Sequence, residues 1–183
     1  DKKLEGLNLS EISEEFSCSP EEAAMRLYEI SEGSFVLHSM EEQDVDTIGM
    51  SDIIAIASDG NSLRNTGPLS NGKPHPRSYG TNTRFIEDMV VNKKKVSISN
   101  AIYRMTRLPA SRIGLKNRGE IKKGYFADIN IFKPEELKEN ATYVDPHQYS
   151  TGMKWVLVNG KIALKDGKKI EGRFGKVVRS KEG

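Results

Sequence analysis

Apolar positions early in the chain recur with helical spacing. Ala23, Leu27 and Ile30 stand at i, i+4 and i+7, the stripe of an amphipathic helix. Ser19-Pro20-Glu21-Glu22 precedes them as a helix start, with serine at the N-cap, proline in the first turn and glutamate three residues after the cap. Residues 8–31 therefore predict two helices. Gly33 ends the second, and Ser34-Phe35-Val36-Leu37-His38, rich in β-formers, predicts a short strand. Residues 41–48 predict a short acidic helix. Asp52-Ile53-Ile54-Ala55-Ile56-Ala57 is then a nearly unbroken apolar run, the pattern of a strand buried on both faces in a parallel sheet. It stops at Ser58-Asp59-Gly60. Residues 60–83 lack periodicity and are rich in Gly, Asn, Ser and Pro. Loops of such length inside a domain are functional or disordered. A helix is predicted over about 84–92. Another starts near Ser97, with Ile98, Ala101, Ile102 and Met105 on one face, and a short one opens at Leu108-Pro109-Ala110 and stops at Gly114.

Past residue 118 the pattern changes period. Asp128-Ile129-Asn130-Ile131-Phe132 alternates as a strand does. Trp155-Val156-Leu157-Val158, Asn159-Gly160 and Lys161-Ile162-Ala163-Leu164 form a hairpin signal of the strongest short kind, and Asp166-Gly167 supplies a second turn. The reading is an α/β region over residues 1–118 and a β-rich tail over 119–183, with no internal repeat.

Composition narrows the function classes. Hydrophobic residues at 36% and charged residues at 30% suit a polar, soluble globular domain, and no apolar run of about 18 residues is present, so no membrane association is expected. A net charge of +2 is too small to imply a nucleic-acid partner. The clusters Lys93-Lys94-Lys95 and 165–169 are expected to be solvated turns. A single cysteine, Cys18, excludes an intrachain disulfide and suits a reducing, cytoplasmic compartment.

Asp59 is the sharpest chemical candidate. It follows the apolar run directly, on a turn that Gly60 can tighten. In β/α barrels catalytic groups stand at the C-terminal ends of strands, where a carboxylate can bind a metal or take a proton. Ser-Asp-Gly is also ordinary turn chemistry. The three histidines, His38, His75 and His147, form no HxH or HExxH pair. His38 ends a predicted strand, where it can face the same mouth as Asp59 or be structural, the second being the expectation, and His147, bordering the tail, is expected to be structural. His75 lies in the long loop, where substrate contact or support is open to it. Met40 can line a barrel mouth or fill a core. There is neither a GxSxG elbow nor a phosphate-binding P-loop.

Five motifs occur together and in order: Ile56-Ala57-Ser58-Asp59-Gly60, His75-Pro76-Arg77-Ser78-Tyr79-Gly80-Thr81, Met105-Thr106-Arg107-Leu108-Pro109-Ala110, residues 119–128, and Asp145-Pro146-His147-Gln148-Tyr149. In these the chain resembles the N-acyl-D-amino-acid deacylases (D-aminoacylases) of the amidohydrolase superfamily, whose closing hairpin Val156-Leu157-Val158-Asn159-Gly160 is similar to. The resemblance implies the C-terminal part of a metal-dependent hydrolase (TIM) β/α barrel over 1–118, and the C-terminal part of a small β-sandwich over 119–183. The strand ending at Ala57 would be the last of the barrel and the one ending at His38 the seventh. It further implies that Asp59 contacts a catalytic zinc, activates the attacking water and passes the proton to the leaving amine. The reaction would be hydrolysis of a small N-acyl-D-amino acid to a carboxylate and a D-amino acid. Loop 60–83 would cover the site, with Met40 at its mouth and His75, Arg77 and Tyr79 contacting substrate or steadying the cover.

The family's HxH pair, its bridging ligand and two further histidines lie earlier in its members and are absent from this sequence. One carboxylate cannot hold a catalytic zinc, which takes about three protein ligands. The expectation is therefore a C-terminal portion, beginning at Asp1 rather than methionine and lacking the N-terminal half of the same protein. It would be inactive alone and, through exposed strand edges, prone to self-association. The alternatives are a non-catalytic accessory module derived from such an enzyme, or another amidohydrolase such as a dihydroorotase or hydantoinase relative.

Overall fold

The structure, a computed structural model, describes residues 3–30 and 35–179. Two helices lead, α1 (Leu9–Glu15) and α2 (Pro20–Ile30). Asn8 and Glu11 form a reciprocal capping box on α1, and the Glu22 amide donates to Ser19 Oγ (3.2 Å) at the start of α2, as the sequence signature predicts. Ile12, Ala23 and Leu27 are buried together, with Leu4, Phe16 and Cys18 packed around them, so the hairpin has its own small core.

The two predicted barrel strands are not paired. Ser34 lies outside the described residues, and Phe35 to His38 form no strand and have no ladder partner among the described residues. The apolar run 52–57 is in no sheet either: Asp52 and Ile53 form a turn, closed by the Ile54 amide on the Ser51 carbonyl (3.4 Å), and Ile53 is 73% exposed. The physical reason is that strand geometry is stabilised between chains of a ladder, and no described segment lies beside either run as a strand. The run at 52–57 is instead held by helix side chains: Asn100 Nδ2 donates to the Asp52 carboxylate (2.8 Å), Arg112 Nη2 to the Ile53 carbonyl (2.7 Å), and Arg104 is the buried one of the set. Arg104 of α5 (Ile98–Met105) is fully buried, donating from Nε to the Ile54 carbonyl (2.8 Å) and from Nη1 to the Gly49 carbonyl (2.6 Å). Its own carbonyl accepts from the Ile56 amide (3.0 Å). Burial pushes the Arg104 guanidinium below its usual range, partly opposed by the charge of Asp52.

Gly49 ends α3 (Glu42–Gly49), the predicted acidic helix. The long loop ends earlier than periodicity predicts: α4 (Arg77–Phe85) begins directly after Pro76 and runs into a π-helix, Ile86–Asn92. Periodicity fails here because Gly80 and Thr83 are its inward-facing residues, a glycine and a polar side chain where a pattern reader looks for large apolar ones. Lys93 and Lys95 are also not solvated turn residues. Lys93 Nζ meets Glu42, Asp46 and Asp88 (2.6, 2.7 and 2.9 Å), and Lys95 Nζ meets Asp46 (2.6 Å), which fastens α3 to the π-helix. The two ammonium groups hold the Asp46 carboxyl below its usual range. Ser97 caps α5 through the Asn100 amide (3.2 Å), and α6 (Arg107–Arg112) follows as predicted.

The tail is a four-stranded antiparallel sheet in the order β1 (Ile129–Phe132), β2 (Met153–Val158), β3 (Lys161–Lys165), β4 (Lys168–Lys169). Its hairpin turns are the predicted ones, with Asn159 and Gly160 at φ 50° and 78° and Asp166 and Gly167 at 49° and 73°, values suited to type I′ turns. Between β1 and β2, residues 138–149 run back along the helical layer. Lys138 Nζ and the Glu139 amide both reach Glu87 of the π-helix (2.6 and 2.8 Å). This strap is closed by the Lys138–Thr151 bridge, beside which Gly152 sits at φ 93°, with the Glu136 carbonyl oxygen 2.0 Å from where a Cβ would stand. Gly152→Ala is expected to destabilise the fold by about 2–4 kcal/mol through backbone strain and the forced shift of the Glu136 peptide. A lowered urea midpoint with unchanged m shows this; an unchanged midpoint shows the contact yields freely. No described helix is long and apolar enough to cross a membrane.

Candidate active site around Asp59

Asp59 follows the apolar run in the left-handed conformation (φ 47°), which the aspartate side chain tolerates better than most. Its carboxylate is 86% exposed and pairs through Oδ2 with Arg77 Nη2 at 2.9 Å. The two residues meet because the Asp59 turn abuts the start of α4. A Cβ on Gly60 would lie 2.7 Å from Ser78 Cα, so only glycine permits that approach. Ser58 Oγ accepts from the Gly60 amide and Ser78 Oγ from the Asn61 amide, both at 3.2 Å.

His75 stands two residues before Arg77. Its Nδ1 accepts from the Arg77 amide (3.0 Å), and its Nε2 lies 3.3 Å from the Tyr143 hydroxyl. Tyr143 belongs to the strap and touches two histidines edge-on, His75 at 5.1 Å and His38 at 4.6 Å between ring centroids. Burial, and then the charges of Arg77, Arg84 and His38, hold the His75 imidazole below its usual pKa.

Tyr79 faces the strap rather than Asp59. Its hydroxyl donates to the Arg64 carbonyl (2.8 Å) and lies 2.7 Å from His147 Nδ1, while His147 Nε2 lies 2.9 Å from the Gly72 carbonyl. Burial raises the Tyr79 phenol, with a smaller contribution from Tyr149. Tyr149 packs on the same ring (5.7 Å), and its hydroxyl accepts from the Asn65 amide (3.3 Å). Together these contacts tie loop residues 64–72 to the strap. Met40 lies apart from Asp59 on the wall of a cavity of about 270 Å³, with Ile56, His75, Arg77, Phe85 and Met89 among the other walls. Glu139 reaches the same cavity; burial raises its carboxyl, and the Arg84 guanidinium at 3.9 Å is too distant to reverse that.

The structure thus gathers Asp59, Arg77 and His75, brings His38 to His75 through Tyr143, and assigns Tyr79 and His147 to a separate tie. Tyr143 and Arg104 escaped the sequence reading. Tyr143 sits in an aperiodic stretch that carries no signal. Arg104 did carry one, since it lies three residues after Ala101 on the apolar side of α5, where a charged side chain stands out.

A zinc ion suits oxygen and nitrogen donors, and about three protein ligands hold it in a catalytic site. Asp59 offers one exposed carboxylate and so fits as one ligand of such an ion. Among the described residues the group of three carboxylates close enough to share an ion is Glu42, Asp46 and Asp88, and the ammonium of Lys93 already sits between them.

A model of the amidohydrolase family matches residues 67–164. The chain is 33% identical over 156 residues to the N-acyl-D-aspartate deacylase of Alcaligenes xylosoxydans xylosoxydans, covering 85% of this chain and 29% of that protein. It is 30% identical over 158 residues to the D-aminoacylase of the same organism, covering 86% and 31%. Among solved structures, the N-acyl-D-glutamate deacylase of Bordetella bronchiseptica, complexed with zinc and a phosphonate mimic of the tetrahedral intermediate, superposes with a TM-score of 0.80 at 31% identity, over 93% of this chain and 34% of that one. A D-aminoacylase described through its binuclear metal centre superposes with a TM-score of 0.79 at 28% identity, over 94% and 34%. The chain spans about a third of the length of these proteins.

Proposed function

Since the chain belongs to the amidohydrolase family, we propose that it contributes the catalytic aspartate of a zinc-dependent enzyme that hydrolyses N-acyl-D-amino acids to a carboxylate and a D-amino acid. In this reading residues 1–118 are the last part of a β/α barrel and 119–183 are part of a β-sandwich. The carrying observation is the Asp59–Arg77 pair at the end of the apolar run, on an exposed turn fastened to α4. The unpaired run at 35–38 supports it. Phe35 and Leu37 are 65% and 84% exposed, as expected of a barrel stave whose neighbours are supplied by residues outside these 183.

Zinc, when bound, supplies Lewis-acid polarisation of the amide and an acidified water. Asp59 takes the proton of the attacking water on its carboxylate and later returns it to the leaving amine, the two halves of general base and acid catalysis. Arg77 keeps that carboxylate aimed, and its guanidinium also matches the carboxylate that every N-acyl amino acid carries. The tie of Tyr79, His147 and Tyr149 steadies the loop beside them. The remaining metal ligands come from outside these residues.

The test is turnover by the complete gene product. With zinc, it is expected to release the amino acid from N-acyl-D-amino acids faster than from L-enantiomers, to lose that activity on chelation and to regain it with added zinc. The 183-residue chain with zinc is expected to be inactive. A complete product that folds, binds zinc and hydrolyses no N-acyl-D-amino acid refutes the reading in favour of a non-catalytic module.

A further inference from the structure

The nine-residue helix α4 starts without a side-chain cap from its N-cap residue, which is Pro76. A helix start leaves several amide donors without intrahelical acceptors. One of these, the Arg77 amide, donates to His75 Nδ1 at 3.0 Å. The same residue whose amide is so held carries the guanidinium that meets Asp59 at 2.9 Å. We propose that His75 is a positioning residue, whose imidazole caps α4 through an unprotonated Nδ1 and thereby aims Arg77 at Asp59.

The chemistry of the ring makes this specific. A nitrogen that accepts carries no proton, so the neutral ring must hold its proton on Nε2, which faces the Tyr143 hydroxyl. A doubly protonated ring has no acceptor left. It would turn an N–H toward the Arg77 amide and set a full positive charge at a helix N-terminus, where the partial charge is already positive. The ionisable groups around it are of both signs, and the cationic ones act on the ring. Arg77 and Arg84 come from α4, Asp88 from the π-helix, and Glu139 with Tyr143 from the strap, while His38 shares the tyrosine. The lowered pKa of His75, from burial first and then from Arg77, Arg84 and His38, points the same way. A base with a folded pKa below its unfolded value contributes fully above the unfolded value, about 6.5 for histidine. That contribution is lost as pH falls through the folded value. Acid therefore uncaps α4 and releases Arg77.

Two measurements test this, and the second rests on the deacylase reading. In long-range proton–nitrogen spectra of the uniformly nitrogen-labelled 183-residue chain near neutral pH, His75 is expected as the Nε2–H tautomer, with a coupling across the hydrogen bond to the Arg77 amide nitrogen. The Nδ1–H tautomer, or a ring protonated at that pH, overturns the proposal. In the complete gene product, His75→Asn replaces Nδ1 by an amide oxygen that can still accept. It is expected to keep kcat within about threefold and to flatten the loss of activity on the acid side. His75→Leu is expected to lower kcat about 10- to 100-fold, the scale of a misplaced catalytic group. If His75→Leu folds and turns over like the parent, or if His75→Asn fails as badly as His75→Leu, the positioning role is wrong. A complete product without any deacylase activity defeats the reading of function, and the tautomer then decides the cap alone.

Discussion

Asp59→Asn is expected to lower kcat for N-acyl-D-amino acid hydrolysis by the complete gene product about 10³-fold while leaving its thermal midpoint unchanged. General acid–base catalysis by a placed side chain is worth about 10²- to 10⁴-fold, and an amide can neither take the water's proton nor return it. Asparagine is the clean replacement, because the left-handed backbone at φ 47° tolerates it as readily as aspartate, whereas alanine adds strain of its own. Folding is spared because the carboxylate is 86% exposed and its partner Arg77 is itself half exposed, and ion pairs in water contribute little to stability. Steady-state kinetics beside a melting curve separate the two quantities. Turnover within tenfold of the parent would show that Asp59 only shapes its turn.

Arg104→Met is expected to show the opposite signature, a large loss of stability from a residue that touches no substrate. Methionine keeps the length of the side chain and part of its packing on the Phe85 ring, which lies 5.2 Å from the guanidinium carbon. It removes the donors to the Gly49 and Ile54 carbonyls, which lie at 2.6 and 2.8 Å. Each buried acceptor left unpaired costs about 1–3 kcal/mol, so the expected loss is about 2–5 kcal/mol. For a chain of this size that lowers the thermal midpoint by about 10 °C. The parent side chain is not wholly satisfied either, since Nη2 is buried without a partner. A guanidinium held this way without a carboxylate bonded to it stabilises through geometry more than through charge. Because Arg104 anchors the run that ends at Asp59, turnover should fall along with stability. A midpoint within 2 °C of the parent would show that the apolar run is held by something other than this arginine.

The helices with strong start signals were legible in the sequence. Ser19 caps as its signature predicts, a helix starts at Ser97, and Ala23 and Leu27 are buried where their spacing places them, while Ile30 of the same stripe stays 61% exposed at the helix end; local hydrogen bonding and helical periodicity act within a few residues. The hairpin turns at Asn159-Gly160 and Asp166-Gly167 were legible for the same reason: their positive φ angles suit these residue types. Loop 60–83 was read too long, because the inward face of α4 is built from Gly80 and Thr83 rather than large apolar residues. The lysines at 93 and 95 look solvated in the sequence, because their partners on α3, Glu42 and Asp46, lie about fifty positions away along the chain.

Asp59 could be singled out from the chain alone, as a carboxylate closing an apolar run, and so could the secondary structure that local rules control. Sequence order also showed the composition of a loop beside it. What only the tertiary structure decided is what those residues touch. Arg77 lies 18 positions from Asp59, Tyr143 lies 68 from His75, and Arg104 lies 50 from the Ile54 carbonyl it holds. Those contacts depend on how α4, α5 and the strap pack around one another, and packing over such separations leaves no periodic trace in the order of residues. The two apolar runs mark the same boundary from the other side. Their composition announces strands, yet a strand is a property of neighbours, and the neighbours must be present before the ladder can form.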